Sequence, residues 1–280
     1  MEKEQVRALA AELFATLPGN VLTEEMDVKR ECLGLQLYDE TLVGFGAAND
    51  PLFETYKDPA VIGPWHWSPE EWLPGAKSVV SVFFPITAAV RAATAKETKL
   101  TSAEWLYARI EGEQYLNAYM AALADRLREQ GAACCVPATD PRFGWILAGQ
   151  GLEGYPEIGP TTFGSRWSER HAAYVCGLGT FGLSKGLITE RGMTGRFGSL
   201  ITDLPLEPDT RPYTGLYDNC IRCGACVSRC PVDAIRLETG KDHMPCHHCV
   251  QRSRTLFAPR YGCGLCQAGV PCEARNPSRA

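Results

Sequence analysis

Residues 220–235 read CIRCGACVSRCPVDAI, which sets Cys220, Cys223 and Cys226 at three-residue steps and Cys230 directly before Pro231. This is the C-x2-C-x2-C-x3-C-P run of bacterial ferredoxins. The short steps wrap one stretch of backbone around three corners of an iron–sulfur cubane and turn amide N–H groups toward its sulfurs. Gly224 and Ala225 leave room for that approach, and Pro231 turns the chain away. In two-cluster ferredoxins the fourth cysteine of such a run ligates the other cluster, so a second ligand set is expected downstream.

Five more cysteines follow: Cys246, Cys249, Cys263, Cys266 and, within YGCGLCQAGVPCEARNP (261–277), Cys272. Two assignments are open. In a crossed arrangement Cys220, Cys223, Cys226 and Cys272 hold the first cluster. Cys230, one of the Cys246/Cys249 pair, Cys263 and Cys266 then hold the second. In a local arrangement the first four cysteines share one cubane, and Cys246, Cys249, Cys263 and Cys266 form a C-x2-C-x13-C-x2-C zinc site, with His247 and His248 nearby. The Cys230-Pro231 step favours the crossed form. The five residues between Cys266 and Cys272 lengthen the ferredoxin-like spacing, and Gly269 and Pro271 can shape a bulge there.

The rest of the composition is that of an ordinary globular chain: 280 residues, 45% hydrophobic and 22% charged, with a formal charge of −5. An acidic balance gives no general electrostatic case for nucleic acid. No apolar run is long enough for a spanning helix, and MEKEQVRALAAELF has no signal-peptide core, so a cytoplasmic protein without membrane contact is expected. Nine of the thirteen cysteines fall between Cys220 and Cys272, which in a reducing compartment argues for metal ligation. The other four (Cys32, Cys134, Cys135 and Cys176) sit among small or apolar neighbours and read as core residues.

Upstream, helix and strand patterns alternate. Val6, Leu9, Leu13 and Phe14 mark a helix over 4–17. TLVGFGAA (41–48) and SVVSVFFPI (78–86) read as buried strands, with a Trp- and Pro-rich loop between them in which His66 is expected to be packed. Residues 102–130 read as a helix stopped by Gly131, AACCVP as a strand, and RFGSLITDLPLE (196–207) as a further strand leaving the domain. The fold class expected is α/β (α+β) over residues 1–212, followed by a ferredoxin-like double [4Fe-4S] module over 213–280. The irregular stretch 140–167 reads as a binding loop or lid. It leads to a helix capped by Ser168 and a glycine-rich turn, which is not a dinucleotide fingerprint.

Together WLPGAKSVVSVFFP, HAAYVCGLGTFGLSKGLIT, RFGSLITDLPL, the ferredoxin run and CGLCQAGVPCEARNP resemble the epoxyqueuosine reductase family, which is related to corrinoid-dependent reductive dehalogenases. The resemblance implies cobalamin in the α/β domain and two [4Fe-4S] clusters that feed electrons to it, supplied in turn by a ferredoxin or flavodoxin. It places Gly177, Leu178, Gly179, Thr180, Phe181 and Gly182 against the corrinoid, with Arg196, Phe197, Gly198, Ser199, Leu200, Ile201 and Thr202. It also implies the crossed cluster assignment, with Cys246 rather than Cys249 as ligand. Where the family carries a VD-x-x-P-V-x-E-like stretch with an acidic proton donor, this chain has IGPTTFGSRWSER, so Asp140, Glu153, Tyr155 and Glu157 become the candidate donors. The family lysine after the glycine turn falls at Leu183, with Lys185 two residues on. The acidic balance and a sequence ending eight residues after Cys272 point away from tRNA and toward reductive chemistry on a small molecule. Two alternatives are a shortened tRNA epoxyqueuosine reductase and an electron-transfer or partner-binding protein without corrinoid chemistry.

Overall fold

SVVSVFFP is apolar at nearly every position rather than at alternate ones, the pattern of a strand covered on both faces. In the computed structural model, which describes residues 1–146, 155 and 164–279, all eight of these residues are buried. In chain order the elements begin with α1 (Lys3–Thr16), β1 (Leu42–Ala47), α2 (Leu52–Thr55), α3 (Pro69–Trp72) and β2 (Ser78–Pro85). Next come α4 (Ala88–Ala95), α5 (Ala103–Arg128), β3 (Cys134–Cys135), β4 (Trp145–Ile146), β5 (Gly164–Ser165) and α6 (Glu169–Val175). The hairpin β6 (Gly179–Phe181) and β7 (Leu187–Thr189) then leads to β8 (Gly195–Thr202). The C-terminal cysteine region holds α7 (Ala225–Ser228), β9 (Ile235–Arg236), β10 (Gly240–Lys241) and α8 (His243–Phe257).

The main sheet has the order β1-β2-β8-β3, and every neighbouring pair is antiparallel. β8 pairs on both sides, with Ser199 opposite Ser81 and Ile201 opposite Cys135. It is thus an inner strand and not one leaving the domain; its polar and glycine positions hid that it is buried. One face of the sheet, through Val80, Val82, Phe84 and Leu200, packs on α1 and α5. The other, through Val79 and Ile201, packs on α6, Trp72 and Trp167. Helices on both faces of a sheet give the α/β layering.

Ser102 caps α5, accepting the Trp105 backbone N–H at 3.2 Å. Ser168 precedes α6, but its hydroxyl forms no cap. It hydrogen-bonds His171 Nδ1 at 2.7 Å instead. Cys32, Cys135 and Cys176 are buried and Cys134 is half-buried. His66 is buried, stacked on Trp167 at 5.6 Å, with its Nδ1 unpartnered. The end of α8 is tied to α5 by Arg260 and Glu111, an ion pair of 2.6 Å with side chains 13% and 10% exposed. Removing one partner of a pair so deeply placed costs about 3–5 kcal/mol, so this contact fixes the cysteine region against the sheet domain. Among the described residues no helix is long and apolar enough to cross a membrane.

Candidate iron–sulfur centres and the adjoining cavity

The nine clustered cysteines sort into two groups. Cys220, Cys223, Cys226 and Cys272 line one cavity of about 370 Å³, whose other walls are largely apolar and include Leu183, Ile188, Met193 and Val270. Asn219 anchors the start of the run to the β6–β7 hairpin, donating from its backbone to Thr180 Oγ1 and from its side chain to the Ile188 carbonyl, each at 2.8 Å. Arg222 and Gly224 both take left-handed backbone conformations, φ 50° and 77°. Alternating handedness turns successive N–H groups to one side, the nest geometry that suits an anionic sulfur cluster. Cys272 is delivered from 46 residues beyond Cys226. The Met193 N–H donates to its carbonyl at 2.9 Å, the Thr194 N–H to the Glu273 carbonyl at 3.2 Å, and the Thr194 hydroxyl to the Gln267 carbonyl. Between them Gly269 (φ 69°) shapes the longer step. Burial pushes the Cys272 thiol up to about 12, with Cys220, Cys226 and Cys223 adding to the effect.

A second cavity, about 930 Å³ counting its open mouth, is lined by Cys230, Cys246, Cys249, Cys263 and Cys266. Cys230 thus turns away from the three cysteines that precede it, and its sulfur accepts the Ala234 N–H at 3.2 Å. The two groups adjoin: after burial, Cys266 is the largest influence raising the Cys226 thiol, which reaches about 11. Cys272, and not Cys230, shares the cavity of Cys220, Cys223 and Cys226. Among the described residues, no three His, Cys, Asp or Glu groups converge tightly enough for a single ion. The thiols ring larger spaces instead.

The second cavity has a cationic wall of Arg109, Arg170, Arg196 and Lys241. Arg170 is exposed and Arg196 half-buried, and both line this cavity. Arg196 pairs with Glu113, and Arg109 stacks on Tyr261 at 4.6 Å. Burial lowers Arg170, Arg196 and Arg109 disfavour its charge further, and the Cys266 and Cys246 thiols favour it. A cubane held by four thiolates is a net anion, and these guanidinium groups suit it.

Glu169, beside Arg170, was not singled out from sequence. Both of its carboxylate oxygens are buried without a hydrogen-bond partner, and burial raises its pKa to about 8. The folded protein therefore holds this proton where an unfolded chain, near 4.5, has released it. The stability it contributes is fully present below about pH 4.5 and is lost as pH rises toward about 8, by at most about 1.4 kcal/mol per unit. Anaerobic thermal unfolding of Glu169→Gln should lack that loss between about pH 5 and pH 8; a slope equal to wild type would refute the assignment. His171, next in line, is held down to about 4 by burial, then by Arg170 and Lys185, and His66 to about 3 by burial and His171. Both imidazoles are neutral at physiological pH and carry no charge into the site.

The other sequence candidates divide. Asp140 is chelated by Arg142, with contacts of 2.8 and 2.7 Å, and that guanidinium holds its carboxyl down to about 2. It is a poor proton donor, which corrects the expectation. The Tyr155 hydroxyl donates to the Pro64 carbonyl at 2.9 Å. Glu153 and Glu157 lie outside the described residues.

Of the segments expected against a corrinoid, Gly198 and Leu200 face α5: a Cβ on Gly198 would press on Met120, and Leu200 belongs to the α1–α5 core. Ser199, Ile201 and Thr202 are fully buried, Ser199 accepting the Trp167 indole N–H at 2.8 Å. Gly179 lies so close to the Ile188 carbonyl that a Cβ would collide with it. Thr180 and Gly182 are buried in the same hairpin, and Gly177 and Leu178 line a different concavity beside β1. Phe181, Arg196 and Phe197 keep accessible surface, with Phe181 and Phe197 in one apolar cluster. Of the two segments, Arg196 borders the second cavity, as do Gly195 just before it and Arg170.

The 4Fe-4S binding domain family (Fer4) matches residues 216–236, the stretch that carries Cys220, Cys223, Cys226 and Cys230. Comparison with curated proteins gives no match. Among solved structures, a selenomethionine-labelled epoxyqueuosine reductase is 19% identical with a TM-score of 0.52, over 97% of this chain and 65% of that one. An epoxyqueuosine reductase with an epoxyqueuosine-modified tRNA-Tyr stem loop is 18% identical at 0.51, over the same shares. A catabolic reductive dehalogenase is 17% identical at 0.50, over 85% of this chain and 30% of that one. The chain thus spans just under two thirds of the length of the reductases it matches, and it shares their fold.

Proposed function

We propose that this chain is an iron–sulfur oxidoreductase that carries electrons through two [4Fe-4S] clusters toward a cobalamin, for reductive chemistry on a small molecule. The observation that carries the reading is the sorting of cysteines, with one group opening to the surface at Cys223 and the other facing the cavity of Arg170 and Arg196. Electrons supplied by a ferredoxin or flavodoxin enter at the first group and pass inward where Cys226 adjoins Cys266. When bound, cobalamin supplies a strongly reducing metal centre to the substrate. The chain's own part is to hold such a cofactor against the cavity wall of Arg109, Arg170 and Arg196, and to present charge that steadies anionic groups there. Glu169, next to Arg170 in the chain and kept protonated by burial, is the candidate proton source. The formal charge of −5 supports a small substrate over tRNA.

The test is anaerobic titration of the cluster-loaded protein with cobalamin, read by absorbance. The expected result is a saturable base-off spectrum that is weakened at least about tenfold in Arg170→Gln, the loss of one charge-assisted contact. Absence of corrinoid binding by wild type overturns the cobalamin assignment and leaves an electron-transfer protein.

A further inference from the structure

Among the described residues ten large apolar side chains are strongly exposed, and four of them (Leu216, Tyr217, Ile221 and Leu237) fall within residues 216–237. Isolated apolar side chains on a surface are ordinary, but a contiguous group marks an interaction site. They flank in sequence Cys223, the one exposed cysteine of the protein, and Ile221 borders the same cavity as Cys223. Leu237 lies against Gly224, where an added Cβ would meet its Cδ2 at 3.4 Å. The Arg222 guanidinium sits 5.6 Å from the Tyr217 ring centroid, and the Tyr217 carbonyl accepts the Cys220 N–H at 2.8 Å. Behind this rim is the cavity ringed by Cys220, Cys223, Cys226 and Cys272.

We propose that this face is the docking surface for a small ferredoxin-type electron carrier. The inference rests on the reading of those four cysteines as cluster ligands and adds the surface that receives the carrier. Four apolar side chains beside an exposed cluster ligand suit a transient redox encounter, the class of interface that buries less than about 1,200 Å². Exposed Arg222 and Arg236 face exposed Asp218, Asp233 and Glu238, a near balance of charge, so the apolar rim rather than long-range steering carries recognition. One electron leaves the reduced cluster of the carrier and enters the cluster behind Cys223. No bond forms or breaks, and the carrier departs oxidised.

The experiment is anaerobic stopped-flow reduction of the cluster-loaded full chain, using a purified, prereduced bacterial ferredoxin and, separately, dithionite. Ile221→Glu combined with Leu237→Glu should slow reduction by ferredoxin about tenfold or more, within the range that interface changes impose on association rates. Dithionite should reduce variant and wild type alike, and Val61→Glu, at an exposed apolar position elsewhere, should behave as wild type. Loaded variants that accept electrons from ferredoxin at the wild-type rate overturn the docking surface alone. Equal slowing by dithionite assigns the effect to the cluster itself and also overturns it. Wild type that assembles no cluster at the first cysteine group overturns both this inference and the function on which it rests.

Discussion

Cys272→Ala is expected to lower the iron of anaerobically purified protein from about eight atoms per chain to about four, the content of one cubane. The expectation follows from position. Cys272 shares a cavity with Cys220, Cys223 and Cys226, held there by the Met193 and Thr194 backbone, while Cys230 has turned into the other cavity. Cys230→Ala should therefore also remove about four irons, but from the other centre, and the two variants should leave clusters with different spectra. The local arrangement makes the opposite forecast. There Cys272→Ala costs no iron, Cys230→Ala destroys the only cubane, and zinc fills the C-x2-C-x13-C-x2-C set. Iron, zinc and sulfide per chain, with electron paramagnetic resonance of the reduced proteins, decide between them. Full iron in folded Cys272→Ala would sink the crossed assignment.

How much of this was legible beforehand depended on how local each signal is. The ferredoxin run could be read outright because its ligands lie within eleven residues, and the spacing itself encodes the wrapping of backbone around a cubane. The nearness of Cys272 to Cys220 was not legible, because hydrogen bonds to residues 193 and 194 bring it there and no spacing rule reaches that far. Strands β1 and β2 and helix α5 followed from their apolar patterns. The inner place of β8 did not: Arg196 reaches Glu113 and Ser199 meets an indole, so tertiary partners made polar positions tolerable inside. Asp140 was misjudged although Arg142, two residues on, was in plain view as its partner. Glu169 was passed over because nothing in an acid at a helix start distinguishes an exposed carboxylate from one that is buried and neutral.

The second centre offers five thiols for four irons, and Cys249 is expected to be the one left over. Cys249 is buried and in hydrogen-bond contact with Cys263, a contact that lowers Cys249 and raises Cys263, so the two share one proton. Thiols in such contact crowd a single corner, whereas ligands on separate irons must stand apart. Cys246 stands free of that pair. It lies in the opening turn of α8, and its influence reaches Cys266 and Arg170 across the cavity. Cys246→Ser should therefore lose about four irons, while Cys249→Ser keeps about eight. Cys249→Ala should also shift the potential of the second centre downward, because a hydrogen bond to a ligand sulfur stabilises the added electron and this variant removes it. Redox titration followed by electron paramagnetic resonance reads both effects at once. Loss of iron from Cys249→Ser together with full iron in Cys246→Ser would reverse the assignment and make Cys246 the spare thiol beside Arg170.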